Sequence, residues 1–309
     1  MKKYYLWSLV ILVIGTALAI FGAQNGGIKT INQEGNLLDF SRRPQIISGD
    51  QEIALVSGHS LPRRKNHSYQ LTQPFQNVNL DVYNAQVVVQ TGNRFLVRVT
   101  NRQALPVKVK VAHQQLSIAD YDSHGAMDQD RLPNTKIYIT VPASRPLNQF
   151  KIDGNDVQLT LHQLQLRQLR WDNDKTKLKL DHVQISEKMI ADDDQGNYLI
   201  NNSRLKQVNC DGDGLKAQIS NSTLQQVTID ADTVALTCQK TQFLQHNRIQ
   251  GDNGKLVFKD LNKNLGYSIR GEGNSIHYQH QLTKGNFYKR PHYQNNLHIA
   301  GDELRVFVD

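Results

Sequence analysis

Two cysteines in 309 residues, Cys210 and Cys238, are too few for a disulfide framework. Both fall at repeat positions otherwise held by Ile, Leu or Val. Each is therefore expected as a small buried hydrophobe, with a bridge between neighbouring coils as the alternative. Two thiols alone are not expected to hold a metal. Helical periodicity is missing from the repeats, which excludes helical arrays of the tetratricopeptide kind. No serine sits in a G-x-S-x-G elbow. His277, His280, His292 and His298 gather towards the C-terminal end, but their spacing matches no zinc pattern and they are expected at the surface. A glycosidase-like carboxylate pair cannot be singled out, because every coil carries acids. The long loops from which a β-helical lyase builds its cleft are also absent. The chain is thus expected not to be an enzyme, and a polysaccharide-active enzyme is the weakest alternative.

What is present describes a folded chain: 39% hydrophobic and 21% charged residues, with a surplus of Gln and Asn. A net charge of +8 favours anionic partners in a general way. Nucleic acid, the usual partner of a basic protein, is not expected, because of how the chain begins. From Tyr4 to Ala23 there are twenty residues without a charge, enough to cross a hydrocarbon core of about 30 Å. Lys2 and Lys3 precede this run, and Tyr4, Tyr5 and Trp7 suit the interface. The expected layout is a cytoplasmic tip at 1–3, a transmembrane helix at 4–23, an extracytoplasmic linker at 24–68 and a β domain at 69–309. The chain would then be a single-pass protein of the cell membrane with its C-terminal domain outside. Ala17-Leu18-Ala19 also fits a cleaved signal peptide, but the apolar run continues through Ile20 and Phe21. No Cys follows the segment, which excludes a lipoprotein anchor.

In the linker, Gly26-Gly27, Pro44, Gly49, Gly58 and Pro62 interrupt any pattern, and one short strand is expected at Glu52–Val56. Strand alternation begins at Phe75 and runs through Val78, Leu80 and Val82, then Val87 and Val89, then Phe95, Val97 and Val99. The polar segment 120–133 reads as a surface loop.

From Phe150 onwards the chain repeats itself. Asp153, Asp172, Asp192, Asp211 and Asp230 recur at spacings of 19, 20, 19 and 19, and the register continues at Gln250, Arg270 and Ala300. One position before each anchor stand Ile152, Trp171, Ala191, Cys210, Ile229, Ile249 and Ile269. Six and eight positions after it stand the sets that begin with Leu159 and Leu161. A third edge is supplied by Leu164, Leu166, Val183, Ile185, Leu205, Leu224 and Phe243. Period-2 alternation inside a period near 20 predicts an all-β, parallel β-solenoid with coils of about 19–20 residues and two or three short strands per coil.

After each anchor comes an acidic step, and Asp172, Asp174, Asp192, Asp194, Asp211, Asp213, Asp230 and Asp232 could form a ladder of Ca²⁺ ligands. The competing explanation is turn chemistry, with Gly and Asn accepting positive φ and Asp bonding the amides of its own turn. That explanation is preferred, because Lys175, Lys177 and Lys179 sit among the acids and no bidentate Glu closes a loop. No cofactor is expected, Ca²⁺ being the one candidate.

Two steps, Asn209-Cys210-Asp211-Gly212-Asp213 and His298-Ile299-Ala300-Gly301-Asp302, together with the openings at Phe75 (FQNVNL) and Asn84 (NAQVVV), resemble the bacterial putative-adhesin family called domain of unknown function 4097 (DUF4097). The resemblance covers residues 70–309. It implies a parallel β-solenoid, often in membrane-anchored proteins of Gram-positive bacteria, some linked to cell-envelope stress sensing, and it brings no catalytic residues. This sequence departs from the family where Asn173 and Asp193 replace the turn Gly. The expected function is an adhesin-like binding module whose partner is a cell-envelope polymer or a membrane signalling protein. The alternative is an envelope-stress sensor that holds such a signalling partner.

Overall fold

The computed structural model describes residues 46–47, 54–55, 65–103, 107–119 and 135–309. The expected membrane helix and the loop at 120–133 lie outside the described residues. The chain forms two units. The described residues of the first are β1 (Ile46–Ile47) and β2 (Ala54–Leu55), an antiparallel pair in which β2 falls inside the expected linker strand.

The second unit opens with β3 (Lys65–Leu71), β4 (Asn77–Gly92), β5 (Leu96–Gln103), β6 (Lys108–Ala112), β7 (Gln115–Ala119) and β8 (Thr135–Pro142). Strand β3 crosses the position 68/69 at which the sequence divides linker from domain. Five long strands follow: β9 (Leu147–His162), β10 (Gln165–Asp181), β11 (Gln184–Asn201), β12 (Arg204–Ser220) and β13 (Thr223–Gln239). The remainder is β14 (Gln242–Leu244), β15 (His246–Gln250), β16 (Asn253–Lys259), β17 (Gly266–Arg270), β18 (Ser275–Tyr278), β19 (Gln281–Lys284), β20 (Phe287–Lys289), β21 (Asn296–Ala300) and β22 (Leu304–Val308).

From β9 to β13 each strand pairs in parallel with the next, one repeat on. Ile152 meets Trp171, Trp171 meets Ala191, Ala191 meets Cys210 and Cys210 meets Ile229. The predicted core rows are buried along their length, from Ile152, Leu159 and Leu161 to Ile249, Leu256 and Phe258. The third edge, from Leu164 to Phe243, is buried as well. Each fully buried Val, Leu, Ile or Phe side chain among them contributes about 1.5–3 kcal/mol by leaving water. Cys210 and Cys238 are free and buried. Burial, and then the nearby Asp193 carboxylate, pushes the Cys210 thiol up to about 12.

Two features differ from the sequence expectation. Each long repeat carries one strand of 16–18 residues rather than two or three, because hydrogen bonding continues through the acidic step. In the acidic step positive φ is held by Gly212, Gly271 and Gly301, while left-handed non-glycine residues recur at the following corner: Gln163, His182, Asn202, Asn221 and Lys240. A left-handed non-glycine residue costs about 1–2 kcal/mol. A hydroxyl row beside it offsets that cost: the Val183 amide donates to Ser203 Oγ and the Ser203 amide to Ser222 Oγ, both at 3.1 Å.

The order of rungs also departs from chain order at both ends. Strand β4 lies directly on β9, with Val78 opposite Phe150, while β7 and β8 pair on its outer side. At the other end β21 and β22 insert between β15–β16 and β17–β18. The Ala300 coil therefore precedes the Arg270 coil in space, and residues 279–295 are no simple loop. Within them β19 and β20 pair antiparallel with β18 and β17 and cover the outer edge. Periodicity assigns a register to each repeat but cannot say which repeat lies on which.

Candidate anion-binding groove

The acidic residues form two in-register columns. Asp153, Asp172, Asp192, Asp211 and Asp230 stack on successive strands, and Asp174, Asp194, Asp213 and Asp232 lie two positions further along the same strands. Burial, and then Asp172, Asp211 and Asp194, raise the Asp192 carboxyl above its ordinary value. Among the described residues no group of three or more His, Cys, Asp or Glu converges as a metal site.

Between these outward columns runs an inward one: Gly154, Asn173, Asp193, Gly212, Ala231, Gly251. A Cβ on Gly212, at φ +155°, would fall 1.7 Å from the Asp193 carbonyl oxygen. The two departures from glycine, Asn173 and Asp193, turn their side chains into the core. Trp171 Nε1 donates to Asp193 Oδ2 at 2.7 Å, and the hydroxyls of Thr176 and Tyr198 donate to the same carboxylate. Asn173 Nδ2 donates to Thr176 Oγ1 at 2.9 Å, and the Trp171 and Tyr198 rings meet edge-on at 5.6 Å. The sequence reading missed Asp193 as an interior group. The signal was the alternation itself, which sends Asp192 and Asp194 outward and Asp193 inward.

Burial raises the Asp193 carboxyl above its ordinary range, and the bonds from Thr176, Trp171 and Tyr198 only partly oppose this. With the folded-state value above the unfolded one, the associated stability is complete below the unfolded carboxyl range. It is lost as pH rises through the folded value. Relative to Asp193→Asn, the parent should lose stability at up to about 1.4 kcal/mol per pH unit across that window. Urea unfolding of both proteins from about pH 3 to about pH 8 measures this, and a difference that stays flat would remove Asp193 as the titrating group.

The outward face changes sign where the long strands end. In the row two positions before the acidic anchors, Thr228 pairs with Arg248, Arg248 with His298 and His298 with Ser268. In the anchor row, Asp230 gives way to Gln250, Ala300 and Arg270. The segment at Pro291 and His292 completes the wall of an open groove of about 480 Å³, lined also by His246 and Asn296 and by no carboxylate. Among the described residues neither Arg248 nor Arg270 has an acidic partner. Arg248 donates to the Gln250 side chain, and Arg270 lies 5.5 Å from the Tyr288 ring centre. Asn296 Nδ2 lies 2.8 Å from His246 Nδ1 and donates to it, which leaves Nε2–H of His246 as the free donor. Burial, and then Arg270 and Arg248, hold His298 below the ordinary imidazole value. Ser268 Oγ is buried at the groove and makes no hydrogen bond.

Of the four histidines noted in the sequence, the structure brings His292 and His298 into this groove. His277 stacks flat on Phe307 at 4.7 Å, and His280 occupies a left-handed turn position. His246 and Arg248 were not singled out from sequence, and Arg270 was named only as a repeat anchor. Their signal was the break in the acidic column at Gln250.

The chain matches no protein family model and no curated protein. Among solved structures it is similar to a "putative cell adhesion protein" from Clostridium sporogenes, with TM-score 0.30, 10% identity and coverage of 79% of this chain and 99% of that one. A "putative adhesin" from Bacteroides fragilis gives TM-score 0.30 and 12% identity, covering 80% and 97%. A "putative lipid binding protein" from Parabacteroides distasonis gives 0.31 and 10%, covering 79% and 97%. Likeness this distant transfers no role to the present chain.

Proposed function

We propose that this chain is a non-catalytic binding module: a parallel β-solenoid of the DUF4097 kind, anchored by residues 4–23 and displayed outside the cell membrane. On this reading it holds anionic cell-envelope polymer. One observation carries it, the carboxylate-free groove in which Arg248 and Arg270 flank His298. Arginines without an acidic partner among the described residues, steadied by the Gln250 side chain and the Tyr288 ring, hold their donors in place before a ligand arrives, so less ordering entropy is lost on binding. Register supports the solenoid reading, since each repeat from β9 to β13 lies one repeat from its neighbour.

The test is retention of the full chain on isolated cell walls as salt is raised. Binding through the groove should be lost as salt screens it, and Arg248→Gln or Arg270→Gln should weaken it about tenfold. Lys216→Gln, which removes an equal charge on the exposed side of β12, should not. Equal losses in all three would leave only diffuse basicity. Stoichiometric recovery of one membrane protein in place of polymer would make the chain an envelope-stress sensor.

A further inference from the structure

The groove carries more donors than a carboxylate can use. Three strands deliver them to one floor: Arg248 and His246 from β15, His298 from β21, and Ser268 with Arg270 from β17. Neighbouring strands lie about 4.8 Å apart, so Arg248 and Ser268 start about 10 Å apart with His298 between them. A planar carboxylate presents two oxygens in one plane. A phosphoryl group presents oxygens along tetrahedral directions and can meet guanidinium, imidazole and hydroxyl donors that arrive from different strands.

A second, independent observation points to a ligand. Ser268, one of the residues at the groove, is 7% exposed, and among the described residues its buried hydroxyl has no partner. A buried hydroxyl without a hydrogen bond carries a desolvation penalty, which an oxyanion seated beside it removes.

We infer that the groove is a phosphoryl-binding subsite, with Arg248, Arg270, His298 and Ser268 as its donors, and that the group it takes is carried on an extended phosphodiester-linked polymer. This inference rests on the binding-module reading and narrows it. The groove favours a polymer over a free ion because it is open and spans β13 to β17, a distance that accommodates more than one phosphoryl group along a chain.

The site is also proton-sensitive. His298 is faced by Arg248 on β15 and Arg270 on β17, with His246 and His292 lining the same groove. Burial and then the two arginines favour its neutral form. A bound anion favours its protonated form, so affinity rises as pH falls towards the imidazole range. A phosphodiester does not titrate there, so the pH dependence reports the protein alone.

The test is calorimetric titration of the full chain with three probes at equal charge and ionic strength: poly(glycerol phosphate), polygalacturonate, and vesicles of phosphatidylglycerol. The expected result is poly(glycerol phosphate) binding at least about tenfold tighter than polygalacturonate. Arg248→Gln or Arg270→Gln should each weaken it about tenfold and Ser268→Ala about fivefold, while far-UV circular dichroism and melting temperature stay at parent values. Affinity should rise from about pH 7.5 to about pH 5.5 in the parent and rise less steeply in His298→Gln, which keeps His246 and His292. Equal binding of polygalacturonate overturns the phosphoryl assignment and leaves the anionic-polymer reading standing. Vesicle binding without polymer binding assigns the phosphoryl group to a lipid headgroup and overturns the polymer. Binding of none of the three overturns both readings.

Discussion

The Trp171→Ala variant should unfold with about 3–5 kcal/mol less stability than the parent, among the largest losses open to a single substitution in this chain. Trp171 is fully buried, so truncation leaves a cavity that the flanking strands β9 and β11 cannot close without breaking register. It also takes away the indole N–H that donates to Asp193 Oδ2 at 2.7 Å. A buried carboxylate would be left with fewer donors, and that penalty adds to the packing loss. Trp171→Phe helps to separate the two contributions, since it removes the donor but keeps a six-membered aromatic ring in the core. Chemical unfolding followed by circular dichroism measures both. If Trp171→Phe cost as much as Trp171→Ala, the hydrogen bond would outweigh packing; the burial argues for a clearly smaller loss.

Gly301→Ala should have the second large effect, about 3 kcal/mol, although it adds a single methyl group. Gly301 sits at φ +145°, and a Cβ there would lie 1.7 Å from the Gly251 carbonyl oxygen on the neighbouring rung. Nothing flexible can yield, because the obstacle is backbone. Gly285 serves as the comparison: its φ is +76°, yet nothing lies within 4 Å of its missing Cβ. Gly285→Ala therefore carries only the conformational cost, about 1 kcal/mol. Hydrogen exchange should show the Gly301→Ala loss concentrated in β15–β18 and β21–β22, with β9–β12 keeping their protection. Uniform loss along the stack would mean that the rungs unfold as one unit.

Much of the interior was legible because alternation acts on every residue. The rows of Ile152, Leu159 and Leu161 were assigned from spacing alone, and all their members are buried except Tyr278, which is partly buried. What stayed hidden depends on relations between repeats. The repeats at Arg270 and Ala300 carry equivalent patterns, so spacing could not reveal that the second lies inside the first. The corner conformation stayed hidden for a different reason. Positive φ does occur at glycines of the acidic step such as Gly212 and Gly301, but at the corner three of its left-handed positions are held by Gln163, His182 and Lys240, residues with no turn signature. Asp193 was readable from parity but was masked by its neighbours Asp192 and Asp194. The groove escaped notice because its donors are separated in sequence by about a repeat or more and meet only across strands. Of its members, His292 and His298 were visible merely as part of a local excess of histidine.

The inserted pair β21–β22 bears on how the molecule is made. A chain synthesised from its N-terminus can lay each new rung on the one before it, so β9 to β16 can zip up while synthesis continues. Strands β17 and β18 cannot follow suit, because on the inner side their hydrogen-bonding neighbours are β21 and β22, which emerge later. Until residues 296–308 arrive, the upper edges of β15 and β16 stay open and the segment from Gly266 onwards has no place to dock. The rung made later is thus the wedge that locks the one made before it. The groove, whose floor runs across β15, β21 and β17, is complete only once β21 is in place. On the function proposed above, a copy whose synthesis has not reached β21 would lack the binding site.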